Sequence, residues 1–224
     1  AVGLSALLVE AEDENAAFAL LPADHVIEDG LGFRSVLSAA FEAAEADDFL
    51  VTIGISPTFP STGYGSLQKG EGVDGVTSRA VSVVDRFVEK PDLEKARQYL
   101  DAGNYFWNAG MFVWRPSVIL KELLMHAPGL SKGLDELKGT WRETGALKEA
   151  MEKVYPSLEK ISIDFAVMEK AERVVMLESD FDWDDVGEWP AITRHYDADG
   201  QGNVFKGEGV AMDAQGNLAY AEAG

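Results

Sequence analysis

The sequence predicts an α/β fold: a mostly parallel mixed sheet covered by helices, followed by a short β-rich C-terminal tail. Two observations predict it. Short apolar runs alternate with helix-period segments at strand–helix–strand spacing, and the apolar runs end in polar, turn-rich loops. From Asn203 onward the pattern changes to short alternating runs broken by Gly207, Gly209 and Gly216, which read as a β-hairpin outside the main sheet.

The elements follow in order. Residues 2–15 carry a helical apolar pattern, and 17–21 form a short buried strand ending at Asp24 and His25. Residues 33–46 are a second helix, and 49–55 an apolar strand running into the turn-rich segment 56–65. Residues 81–89 read as a strand, 93–102 as a charged helix and 105–114 as a long strand stopped by Arg115-Pro116. Pro116 opens a helix to about His126, and further helices are expected at 144–154 and 163–171, the last with Asp164 in its first turn. A strand at 173–177 precedes an aromatic, acidic loop, 181–188, that leads into a helix bearing Trp189 and Ile192. The expected division is residues 1–200 as the main domain and 201–224 as the start of a small β-rich region. No internal repeat or low-complexity tract is read along the chain.

Bulk composition narrows the function classes. The chain has 224 residues, 46% hydrophobic, enough to bury a sizeable core. Thirty-nine acidic residues against 19 basic give a formal charge of −20, which argues against a surface that grips nucleic acid or anionic lipid. An anionic ligand would then need a divalent cation and local bases such as Lys90 or Arg115. There is no cysteine, in keeping with a reducing cytoplasm, and no run of eighteen apolar residues that would span a membrane. The sequence opens at Ala1 and runs straight into helical pattern, so a longer polypeptide is expected.

In a helix-covered parallel sheet, ligands sit beyond the carboxyl ends of the strands, where Asp24 and the 57–65 loop fall. Asp24 and Asp185 each place a carboxylate at the end of a buried element. Two such acids suffice for magnesium when phosphates and water complete the octahedron, and the same acids are equally the residues that cap helices and turns. Lys90, between Glu89 and Pro91, is a rigidly presented ammonium or a surface lysine at a strand end. Asn108 can donate and accept at once, and Gly110 lets backbone approach closely; a turn or bulge explains the same pair. His25, His126 and His195 lack metal-ligand spacing. Trp107, Trp114, Trp183 and Trp189 read as core.

Phe87-Val88-Glu89-Lys90-Pro91 and Trp107-Asn108-Ala109-Gly110-Met111-Phe112 resemble paired motifs of the nucleotide-sugar pyrophosphorylases, most nearly the mannose-1-phosphate guanylyltransferase group. Leu21-Pro22-Ala23-Asp24-His25, Pro60 to Gly65, Ile163 to Glu169 and Trp183-Asp184-Asp185-Val186-Gly187-Glu188-Trp189 match the family in the same order. The resemblance implies a Rossmann-like sheet of the nucleotide-diphospho-sugar transferase type. It implies conversion of α-D-mannose 1-phosphate and GTP to GDP-mannose and pyrophosphate with Mg2+, and is compatible with a homodimer; the cytoplasm is the expected location on the cysteine-free composition.

By the same resemblance, Asp24 and Asp185 hold the metal, Lys90 meets the sugar phosphate, and Glu89, Asn108, Gly110, Gly63 and Tyr64 face the hexose, with Asp164 in support. Asp185, directly before Val186-Gly187, is the matching acid rather than Asp184. Where the family continues its glycine turn with an aromatic, this chain has Ser66. The family's amino-terminal glycine-rich, arginine-bearing phosphate loop has no counterpart in residues 1–224. The base and triphosphate are therefore expected to be gripped by residues upstream, and these 224 residues alone are expected to give no turnover. Other readings stay open: another sugar 1-phosphate or base, a noncatalytic sugar-nucleotide-binding regulator, or a structural domain.

Overall fold

A computed structural model describes residues 1–207 and 209–221. They divide into two compact units, the first formed by Ala1–Pro22 and Asp29–Phe181 and the second by Ala23–Glu28 and residues from Asp182 on.

The first unit is a helix-covered mixed sheet. Its strands are β1 (Phe18–Leu20), β2 (Leu50–Ile55), β3 (Ser66–Val73), β4 (Val81–Val88), β5 (Tyr105–Trp114) and β6 (Val174–Glu178). The spatial order is β1-β5-β2-β6-β4-β3, with β5 also pairing to β3, so the ladders close a circuit through β5, β2, β6, β4 and β3. The α/β class holds, but the expected parallel majority does not appear in the pairing: among the described residues of this sheet only β2–β6 is parallel, and the other five ladders are antiparallel. The physical reason is interleaving. The β3–β4 connection is short enough to force a hairpin, and β5 inserts between β1 and β2, which run in the same direction as the strand–helix–strand spacing requires.

Helices α1 (Val2–Glu12), α2 (Gly30–Ala46), α3 (Leu93–Ala102), α4 (Pro116–His126), α5 (Pro128–Thr144) and α6 (Leu147–Val154) cover the sheet. Asp29 caps α2 by accepting from the Leu31 and Gly32 amides, and Asp92 caps α3 by accepting from Lys95. Pro116 stands at the start of α4 as the sequence indicates. The core joins Leu50, Phe112, Trp114, Ile119, Leu123, Leu137, Val167 and Met176 between sheet and helices. Two elements, β3 and α5, lie outside the expected set. The segment expected as a helix at 163–171 forms instead a single π-helical turn, Asp164–Met168.

In the second unit, Val26 and Asp184 form an antiparallel bridge, and Trp189–Ile192 is one helical turn, α7. Trp189 is exposed rather than core. The tail's strands β7 (Val204–Lys206) and β8 (Leu218–Tyr220) pair in parallel, not as the expected hairpin. The cause is a repeat: Asp199-Gly200-Gln201-Gly202-Asn203-Val204 recurs as Asp213-Ala214-Gln215-Gly216-Asn217-Leu218, and equivalent residues stack. Asn203 ties the rungs together. Its Oδ1 accepts from the Asn217 backbone amide at 3.1 Å and from Asn217 Nδ2 at 2.9 Å, while its own Nδ2 donates to the Ala214 carbonyl. The reading of no internal repeat is thereby corrected.

Candidate active site

The carboxyl ends of β2 and β4 meet the start of β3 and the early part of β5 at one end of the first unit's sheet. Ile55 faces Trp107, Gly54 faces Asn108, and Ser66 faces both Trp107 and Val88. Register therefore gathers the residues that follow Val88, those that precede Ser66, and Asn108.

Asn108 is buried, and its carboxamide is engaged on both sides. Its Oδ1 accepts from the Thr52 hydroxyl at 2.9 Å and from the Gly110 amide at 3.2 Å, and its Nδ2 donates to Asp164 Oδ1 at 3.2 Å. The Asn108 amide donates to the Gly65 carbonyl at 2.8 Å. Asn108 thus orients Asp164 and anchors the glycine turn, a more structural part than reading hydroxyls by itself. Gly110 adopts φ +66, which a side chain rarely tolerates.

Glu89 follows β4, and its side chain is 11% exposed. Its Oε1 lies 3.6 Å from Lys90 Nζ, and Lys90, with φ +48, extends into solvent with 63% of its side chain exposed. A β-carbon added at Gly65 would stand 2.7 Å from Glu89 Oε2 and 3.3 Å from Asn108 Cβ. Gly65 is therefore the glycine this wall requires, whereas a β-carbon at Gly63 would come no nearer than 3.7 Å to Ser61 Oγ. Tyr64 lies edge-on to Trp107 with centroids 5.0 Å apart, and Phe59 joins them at 4.7 Å from Trp107.

Electrostatics mark the same place. Burial raises the Glu89 carboxyl above its ordinary value, helped by Asp164 and opposed by Lys90. Burial likewise raises Asp164, against its own backbone amide, Ser162, Lys90 and Asn108. Two neighbouring carboxyls that resist ionisation, beside an exposed ammonium, suit a polyhydroxylated anionic ligand better than a stable ion-pair network.

Asp24 and Asp185 lie in the second unit, where the bridge between Val26 and Asp184 draws their two segments together. Trp183 Nε1 donates to His25 Nδ1 at 3.0 Å, and the two rings meet edge to face at 5.3 Å. Burial lowers the His25 pKa, while Asp24, Asp185 and Asp184 pull it upward. Asp184 is occupied otherwise: Arg194 donates to both its oxygens at 2.6 Å, His195 sits 2.9 Å away, and the Val186 amide donates to Oδ1 at 3.0 Å. Arg194 leads in holding its pKa down to about 2. Asp185 folds instead over Gly187, whose added β-carbon would come within 2.8 Å of Asp185 Oδ2. Among the described residues no three His, Asp or Glu side chains cluster as a metal site. Two hard oxygen donors do fit a magnesium ion that takes its other ligands from phosphate and water.

Sequence reasoning passed over Thr52 and Arg194, and it placed Gly65 and Glu169 within matched motifs without the contacts they make to Glu89. Gly65 was legible as the last glycine of the quoted turn. Thr52 and Arg194 carry no local signal, since their partners lie 56 and ten residues away respectively.

A model of the nucleotidyl transferase family matches residues 1–201, and the chain belongs to that family. It is 37% identical over 220 residues to the xanthan biosynthesis protein XanB of Xanthomonas campestris, covering 98% of this chain and 46% of that protein. It is 38% identical over 210 residues to mannose-1-phosphate guanylyltransferase of Sinorhizobium fredii, covering 93% of this chain and 40% of that one. A crystal structure described as mannose-1-phosphate geranyltransferase from Thermus thermophilus superimposes with a TM-score of 0.80 at 38% identity, over 98% of this chain and 62% of its own. The chain spans about half the length of the curated relatives it matches. No described helix is long and apolar enough to cross a membrane.

Proposed function

We propose that the polypeptide carrying this chain makes GDP-mannose. An oxygen of the phosphate of α-D-mannose 1-phosphate attacks the α-phosphorus of GTP, the bond from that phosphorus to the β-bridging oxygen breaks, and pyrophosphate leaves with the electron pair. The observation that carries the reading is the grouping of Glu89, Lys90, Asn108 and Asp164 around the Gly65 turn, in a chain whose relatives include a mannose-1-phosphate guanylyltransferase.

Such transfers need positioning and charge neutralisation rather than a covalent enzyme intermediate. Lys90 meets the sugar phosphate, Glu89 accepts from hexose hydroxyls, and Asn108 holds Asp164 toward the same ring. Gly63 and Tyr64 border the hexose, with Gly110 behind Asn108. Asp24 and Asp185 hold magnesium, which supplies charge neutralisation on the phosphates. A chain without cysteine suits a reducing cytoplasm.

The test is pyrophosphate release from the native polypeptide, with GTP and mannose 1-phosphate both required. Asp185→Ala is expected to lower the rate by about 10²-fold or more while GDP-mannose still binds. Wild-type protein that binds GDP-mannose and releases no pyrophosphate would be a regulator, and the proposal would be wrong.

A further inference from the structure

The π-helical turn after Ile163 places two carboxylates, five residues apart, on the same wall. The Glu169 amide donates to the Asp164 carbonyl at 3.0 Å, the bond that defines the wide turn. In an α-helix, at about 100° per residue, side chains five apart diverge by roughly 140°. Here both converge. Asp164 Oδ1 accepts from Asn108 Nδ2, and Glu169 Oε1 accepts from the backbone amide of Glu89 at 2.9 Å.

That second bond spans 80 residues and lands beside the most strained backbone of the wall. Lys90 follows Glu89 in the left-handed region at φ +48, a conformation unfavourable for any residue with a β-carbon and in need of support from its surroundings. β4 ends at Val88, so the Glu89 amide lies beyond the last residue of the strand. Glu169 supplies its acceptor instead, through a charge-assisted bond.

The geometry points to Glu169 as a positioning residue for the sugar-phosphate wall: its carboxylate fixes the Glu89–Lys90 turn, and the π turn exists to bring it there together with Asp164. Glu169 is exposed and outside the apolar core, so its bond to the Glu89 amide, rather than packing, is what ties it to the wall. This inference rests on the proposed sugar-phosphate site, but the turn it describes can be probed without that reading.

Glu169→Ala removes the acceptor, whereas Glu169→Gln keeps an oxygen able to accept. In the native polypeptide, Glu169→Ala is expected to raise the KM for mannose 1-phosphate about tenfold, leave the KM for GTP within about twofold, and recover most of the loss in Glu169→Gln. Independently of turnover, hydrogen exchange at the Glu89 amide is read by NMR. It should accelerate about tenfold in Glu169→Ala and stay near wild type in Glu169→Gln. Unchanged Glu89 exchange in Glu169→Ala overturns the inference. So does equal damage to both substrates' KM. Wild-type protein without transferase activity but with the expected exchange pattern would discard the sugar reading and keep the positioning role of Glu169.

Discussion

Two turns in this chain solve one problem by different means. Lys90 in the first unit and Val186 in the second are both non-glycine residues with positive φ, +48 and +46, each beside a candidate functional acid, Glu89 and Asp185. Each turn is held by a carboxylate accepting from a backbone amide, Glu169 from Glu89 and Asp184 from Val186. The difference is reach. Asp184 acts on a residue two positions away, as Asp and Asn commonly do in turns, and Arg194 then locks it. Glu169 reaches across 80 residues and depends on a sheet, a π turn and a glycine being in place first. A turn built locally survives errors elsewhere in the fold, while a turn built from distant parts fails when any of them shifts.

The sharpest way to break the long-range turn is at Gly65. Gly65→Ala drives a methyl into the space of Glu89 Oε2 and is expected to cut kcat/KM for mannose 1-phosphate by about 10²-fold, since misplacement near 1 Å costs about that much. Gly63→Ala, whose added β-carbon comes no nearer than 3.7 Å to Ser61 Oγ and displaces no wall carboxylate, should lower the same constant by no more than about tenfold, the cost of crowding the hexose it borders. Equal effects of the two would show that the loop, not the contact with Glu89, sets the site.

The local turn should yield less. Asp184→Ala is expected to raise the magnesium concentration for half-maximal rate about tenfold, by freeing the strained Val186 turn that presents Asp185. Asp184→Asn keeps an acceptor for the Val186 amide and should fall between alanine and wild type. If asparagine does no better than alanine, the Arg194 pair rather than the Val186 bond is what holds Asp185, and the parallel between the two turns is lost.

The same contrast explains what was legible in the sequence. Elements that rest on periodicity or local caps read correctly: Leu93–Ala102 between Asp92 and Gly103, Tyr105–Trp114 before Arg115-Pro116, and the helix begun by Pro116. β3 did not, because Gly70 and Gly72 interrupt it. A β-carbon at Gly70 would sit 2.1 Å from Asp85 Oδ1, so the glycine serves a cross-strand neighbour that local pattern does not show. α5 hides its Leu130, Leu134, Leu137 and Trp141 stripe behind Gly129, Gly133 and Gly139. The antiparallel ladders and the parallel tail depend on which strands meet. The tail could still have been read, since its period of 14 is plain once residues 199–204 are set above 213–218.

Within the candidate site, Glu89, Lys90, Asn108 and Asp164 were found through motif resemblance, which carries residue identity but not contacts. What escaped was the support: Thr52 beneath Asn108, Gly65 against Glu89, and Glu169 behind the turn.

The smallest expected effect separates function from stability at the long-range turn. Burial raises the Asp164 carboxyl above its ordinary value, with Lys90, Asn108, Ser162 and its own amide opposing, and Asp164 in turn raises Glu89. A carboxyl whose folded pKa exceeds the unfolded one binds its proton more tightly in the native state. Its penalty is therefore absent below the unfolded pKa and grows as pH rises through the folded one. Asp164→Asn removes that penalty and keeps an oxygen to accept from Asn108 Nδ2. It should raise unfolding free energy by roughly 1 kcal/mol at neutral pH, with the gain shrinking to nothing as pH falls below the unfolded carboxyl range, as followed by urea denaturation. Activity should move the other way, because the wall loses a charge placed for the ligand. The local turn gives the opposite sign: Asp184 sits with Arg194 in a favourable pair, so asparagine there should cost stability at neutral pH. An Asp164→Asn protein no more stable than wild type at neutral pH would mean that Lys90 already offsets the buried charge, leaving nothing stored in the long-range turn.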